Sequence, residues 1–133
     1  MISALLLDLD DTLYDEASYL RSGFAVVAER IAALSGAAPS AVLETLLAIE
    51  AREGRGRVFD RALAAFGIEP DPALVRRLVA AYRLHRPAID LDPGIRRLLA
   101  RLGSRGVSRM TVGLSGVGPP PLLRMIQEFA SLM

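Results

Sequence analysis

Two short apolar runs stand near the ends of the chain, and between them apolar positions recur every three or four residues. The first run, residues 2–7 (Ile-Ser-Ala-Leu-Leu-Leu), is closed by polar, turn-prone residues. That profile predicts a strand buried on both faces of a parallel sheet. Leu20, Phe24, Val27, Ile31 and Leu34 then draw one helical stripe, with Asp15 as N-cap and Gly36 at its end. A second helix is expected from about Ser40 to just before Gly54, with Leu43, Leu46 and Leu47 inward, and a third over 58–66. Gly67 stands where a left-handed residue would close that third helix.

Two Asp-Pro pairs mark further helix starts. Asp71-Pro72 reads as an N-cap followed by proline at the first helical position, where a missing N–H is harmless. Leu74, Leu78 and Tyr82 supply the buried side of that fourth helix, and Pro87 limits it. Asp92-Pro93 repeats the device and opens a helix with Ile95, Leu98, Leu99 and Leu102 inward, its exit bracketed by Gly103 and Gly106. Residues 107–114 are predicted as a second strand, weakened by Gly113, and Leu122, Ile126, Phe129 and Met133 as one side of a last short helix. The expected order is strand, four helices, helix, strand, helix. The implied architecture is α/β: a parallel-sheet core from residues 1–13 and 91–133, with a four-helix cap over 14–90.

Composition narrows the function classes. Sixteen basic residues against fifteen acidic ones give a net charge of +1, no surplus for a dedicated nucleic-acid binder. Apolar residues make up 52% of the chain, too many for a disordered one. Cysteine is absent, which excludes disulfides, thiolate metal sites and cysteine nucleophiles. Lysine is absent as well, so every basic side chain is Arg. The N-terminal run lacks a basic lead-in, and the most apolar longer stretch, 31–49, is broken by Gly36 and Pro39. A soluble cytoplasmic protein is expected, with neither a membrane nor a nucleic acid as partner.

Chemistry concentrates in residues 5–13, Leu-Leu-Leu-Asp-Leu-Asp-Asp-Thr-Leu. Ligands of parallel sheets bind beyond the carboxyl ends of the strands, and Asp8 falls at such an end. Asp8 and Asp10, two positions apart, cluster negative charge that hard Mg²⁺ would offset. A neutralised carboxylate can attack phosphorus, and its neighbour can protonate the leaving oxygen and later activate water. The plainer alternative is that Asp10, Asp11 and Thr12 only cap and turn the chain after a strand.

This segment resembles the first motif of the haloacid dehalogenase-like hydrolase superfamily, and the helices after it look like the cap inserted there in one subfamily. The resemblance runs from residue 1 to about 106. It implies a Rossmann-like core, a Mg²⁺ cofactor and an aspartyl-phosphate intermediate on Asp8. Asp10 would be the acid/base, with its carbonyl on the metal, and Thr12 would support the loop. It also implies a phosphatase acting on a small phosphorylated metabolite rather than a dehalogenase. The family's second motif is a Ser or Thr that holds the phosphoryl group after the next strand; Ser115, followed by Gly116, is the candidate, with Thr111 as the alternative.

The later family motifs have no match. The third is normally a Lys, in some members an Arg, and this chain has no Lys; the fourth is an acidic pair, yet beyond Asp92 the only acidic residue is Glu128. The chain is therefore expected to be the front part of such an enzyme, through an early end, a shifted frame or an incomplete gene model. Impaired activity is the corresponding expectation. Two alternatives stand beside it: a non-catalytic remnant serving as a binding or oligomerising module, and a half-enzyme completed by a second chain. A sheet with few strands also invites homo-oligomers through unpaired edges.

Three other features have two readings each. His85, the single histidine, is either a ligand or an ordinary helix-end or surface residue. Gly54-Arg55-Gly56-Arg57 is either an anion contact or a solvated loop between helices. The pairs Arg76-Arg77 and Arg96-Arg97 fall on outward helix faces and read as solvated charge.

Overall fold

The computed structural model describes residues 4–8, 15–88, 93–105 and 108–112. In chain order these form β1 (Ala4–Asp8), α1 (Glu16–Ser35), α2 (Pro39–Glu53), α3 (Val58–Ala65), α4 (Pro72–Leu84), α5 (Pro93–Ser104) and β2 (Ser108–Val112). The chain divides into two compact units, Leu20–His85 and the remainder, Met1–Tyr19 with Arg86–Met133. The expected last helix, with Leu122, Ile126, Phe129 and Met133, lies outside the described residues, as does Asp92.

The expectation of an α/β chain built on a partial Rossmann-like core is corrected. Helix dominates the described residues, and strand is confined to two five-residue segments. Among the residues whose burial is described, the buried hydrophobic cluster lies in α1 to α4. The physical reason is strand supply. Only two apolar runs lack helical periodicity, and two strands share a single ladder, too little surface to organise a sheet-centred core. The Ala- and Leu-rich segments between them favour helix instead.

Residues 20–85 show why their sequence folds as it does. Asp15 precedes α1 and accepts hydrogen bonds from the Ala17 N–H and the Ser18 hydroxyl, each at 3.1 Å. Leu20, Phe24, Val27 and Ile31 are buried along one face of that helix. Leu34 shares the face but is 58% exposed, because it lies in the last turn. Periodicity reports a face, not how far its packing partners reach along the axis. In α2 the buried residues are Val42, Leu46 and Ile49, with the expected Leu43 and Leu47 only partly covered.

The α3 terminus closes as a Schellman motif. The Ile68 N–H donates to the Leu63 carbonyl at 2.9 Å and the Gly67 N–H to that of Ala64 at 3.0 Å. Gly67 adopts φ +73°, which a side chain would strain. Asp71 caps α4 by accepting from the Leu74 N–H at 3.1 Å, with Pro72 at the first helical position. Packing then joins α2 to α3 and α3 to α4.

Three of the chain's seven aromatic rings meet inside this unit. Phe24 of α1, Phe59 of α3 and Tyr82 of α4 have centroids 5.7–6.0 Å apart in edge and tilted arrangements. Such contacts add to simple area burial. Gly23 permits this approach. A Cβ built there would sit 2.6 Å from Tyr82 Cδ2 and 3.0 Å from His85 Cε1. We therefore expect Gly23→Ala to destabilise the protein by about 1–3 kcal/mol, although alanine is the better helix former by about 1 kcal/mol. Urea unfolding followed by circular dichroism checks this, and a raised midpoint would overturn it.

In the other unit, β1 and β2 pair in parallel, with Ala4 opposite Ser108 and Asp8 opposite Val112. The two apolar runs thus lie side by side in the direction expected for them. Helix α5 places Ile95 and Leu102 in partly buried positions, while Leu98 is 45% exposed. Leu98 lies about 60° round the helix from Ile95, at the margin of the stripe rather than within it.

Candidate functional site

Asp8 is the last residue of β1, and its register partner Val112 is the last residue of β2. The parallel direction therefore makes the chain leave both strands at one common edge. Of the residues expected to act with Asp8, the alternative phosphate-holding residue Thr111 lies within the β2 ladder, opposite Leu7. Asp10, Asp11, Thr12 and Ser115 lie outside the described residues. Among the described residues no group of three or more His, Asp or Glu side chains gathers in one place.

The single histidine is the clearest polar feature that sequence reasoning underrated. His85 ends α4, as a helix-end reading has it, but it is 6% exposed rather than at the surface. Its Nδ1 bonds the Tyr82 carbonyl, which can only accept, so Nδ1 carries the proton. In the neutral ring, Nε2 then accepts the Ser22 hydroxyl at 2.9 Å. The pair has the outline of a nucleophile and base. However, Ser22 sits inside α1, where neighbouring backbone N–H groups are committed to the helix and offer no cradle for an oxyanion. The arrangement fastens the end of α4 to α1. No buried side-chain nitrogen or oxygen among the described residues lacks a hydrogen bond. The sequence signal for this was absent, because Ser22 and His85 are 63 positions apart.

The Gly54–Arg57 loop is engaged by its own neighbours. Arg55 meets Glu50 at 3.5 Å and Arg57 meets Asp60 at 3.9 Å, while Arg52 and Arg61 both approach Glu53. Exposed pairs of this kind contribute about 0–1 kcal/mol each. Their local neutralisation favours the solvated-loop reading over an anion contact. Arg76, Arg77, Arg96 and Arg97 are exposed, as expected of outward helix faces.

No protein-family model matches the chain, and no curated protein matches it either. No helix among the described residues is long and apolar enough to cross a membrane.

Proposed function

We propose that this chain carries the nucleophile-bearing part of a Mg²⁺-dependent phosphatase of the haloacid dehalogenase-like type, acting on a small phosphate monoester in the cytoplasm. The observation that supports the reading is the position of Asp8 at the carboxyl end of β1, where β2 also ends. Asp8 and Asp10 offer hard carboxylate oxygens, the donor chemistry that suits Mg²⁺, and they are the residues that would hold it. When bound, the ion supplies charge neutralisation between nucleophile and phosphoryl group.

In this proposal an Asp8 carboxylate oxygen forms a bond to phosphorus while the phosphorus–ester oxygen bond breaks. The leaving oxygen takes a proton from the Asp10 carboxyl group. Asp10, now a carboxylate, removes a proton from water, and the resulting hydroxide attacks the aspartyl phosphate. Inorganic phosphate leaves and Asp8 is restored. Thr12 and Ser115 would support the loop and hold phosphoryl oxygens through their hydroxyl groups.

Titration calorimetry tests the assignment directly. Mg²⁺ is expected to bind weakly, because two carboxylates leave most of its coordination to water. Asp8→Asn is expected to abolish the heat. Equal heats from the two proteins, or none from either, would refute the reading.

A second reading is favoured by a different observation: residues 20–85 form a compact unit with a helical core of its own. Such a unit suits a binding or oligomerising module without catalysis. Genomic sequence downstream separates the two, since an enzyme needs a further basic segment and a paired-acid segment in some frame.

A further inference from the structure

We propose that the surface depression between α1 and α4 binds a small molecule with an apolar body and an anionic head, either a carboxylate or a phosphoryl group. This inference rests on residues 20–85 alone and is independent of the phosphatase reading.

The depression has a volume of about 350 Å³, at the lower end of the range for small-ligand sites, about 300–1,000 Å³. Its apolar lining comes from Val26 of α1 and Ala80, Ala81 and Leu84 of α4. Leu84 is 61% exposed, a large apolar side chain left in water by the protein's own packing. Two alanines on α4 leave the space that larger side chains would fill. The occupant therefore needs an apolar body of limited size.

Charge then fixes the other end of the ligand. Arg30 and Arg77, one from each helix, line the same depression, and both are exposed. Among the described residues neither takes part in a hydrogen bond or ion pair. Their helical neighbours three and four positions away are Val26, Val27, Ala33 and Leu34 for Arg30, and Ala73, Leu74, Ala80 and Ala81 for Arg77. None can neutralise a guanidinium. The contrast with Arg55 and Arg57, which have acidic partners close by, is internal to the same unit. Two unpaired guanidinium groups beside an apolar hollow favour an anionic head, which each can grip through two parallel N–H donors.

The test uses the full chain labelled with ¹⁵N and follows backbone amide shifts on titration. The probes are 1-naphthoate and 1-naphthylmethylphosphonate, neither of them an ester, with neutral 1-naphthalenemethanol and inorganic phosphate as controls. The expected result is that both anionic naphthyl probes move the amides of Ala80, Ala81 and Leu84 and bind at least about tenfold more tightly than either control. A tighter phosphonate indicates a phosphoryl head, and a tighter naphthoate a carboxylate. Arg30→Gln combined with Arg77→Gln should remove the tenfold preference while leaving the neutral alcohol unchanged, and Ala80→Phe should block every naphthyl probe by filling the hollow. Equal binding of the alcohol, equal binding of inorganic phosphate, shifts located elsewhere, or indifference to the double substitution would each overturn the proposal. Concentration-dependent self-association through these same amides, without probe binding, would show a protein-contact surface instead and overturn it too.

Discussion

Phe24→Ala is expected to destabilise the helical unit by about 3–5 kcal/mol, the range for emptying a buried aromatic position. Phe24 is 2% exposed, and its ring touches both Phe59 and Tyr82. Deleting it removes one corner of a three-ring cluster that joins α1, α3 and α4, so the loss includes ring contacts as well as transferred area. For a unit of this size each kcal/mol corresponds to roughly 4–8 °C in Tm, so a fall of about 12 °C or more should follow. Thermal melting followed by circular dichroism at 222 nm reads this. Phe24→Leu, which keeps most of the apolar volume, should show a much smaller shift. A drop of under about 1 kcal/mol for the alanine variant would mean that the neighbouring rings collapse into the space.

The proposed chemistry has an equally large expected deficit in turnover. The chain holds no Lys, and beyond Asp92 its only acid is Glu128. The lysine clamp and the acidic pair that the resemblance implies are therefore not among these 133 residues. Removing one preorganised charge-stabilising group typically lowers turnover by about 10²–10³-fold. Two such losses take a typical rate of ~10 s⁻¹ to roughly 10⁻³–10⁻⁵ s⁻¹. Assay of the purified chain with an aryl phosphate and Mg²⁺ should accordingly show hydrolysis near background. Among the described residues each strand has one neighbour, so self-association through strand edges is expected to accompany this in light scattering. A monomer with Asp8-dependent turnover of about 1 s⁻¹ or faster would overturn the expectation.

The helices were legible because their signals are local. Asp71-Pro72, Gly67 and Asp15 each act on residues within one turn, and each makes the contact its type suggests. Long-range partners were not legible. Nothing in the residues around His85 announces that Ser22 will meet its ring, and Gly23 reads as an ordinary weakness in a helix until Tyr82 is packed against it. Exposure of Leu34 and Leu98 was missed for a related reason: apolar spacing gives orientation about an axis but not the extent of the facing surface. The direction of the strand pair was readable from its two apolar runs. The Rossmann-like expectation went beyond them, extending from a nine-residue motif to a sheet whose further strands the described residues do not contain. For the site itself, the backbone position of Asp8 was legible, since a polar residue that closes an apolar run also closes the strand.

The pairing of Ala4 with Ser108 has a consequence for synthesis on the ribosome. β1 emerges first of the pair, and its partner emerges only after α1 to α5 have been made. At roughly 5–20 residues per second, the early strand waits on the order of 5–20 s for its mate. The helical unit is complete in sequence before β2 is made, and it has time to form during that interval. A folded unit between the strands also shortens the flexible span that must close, which lowers the entropic barrier to pairing. Until then the nascent β1 presents open backbone hydrogen-bonding groups on both sides, the kind of segment that chaperones shield as the chain is made.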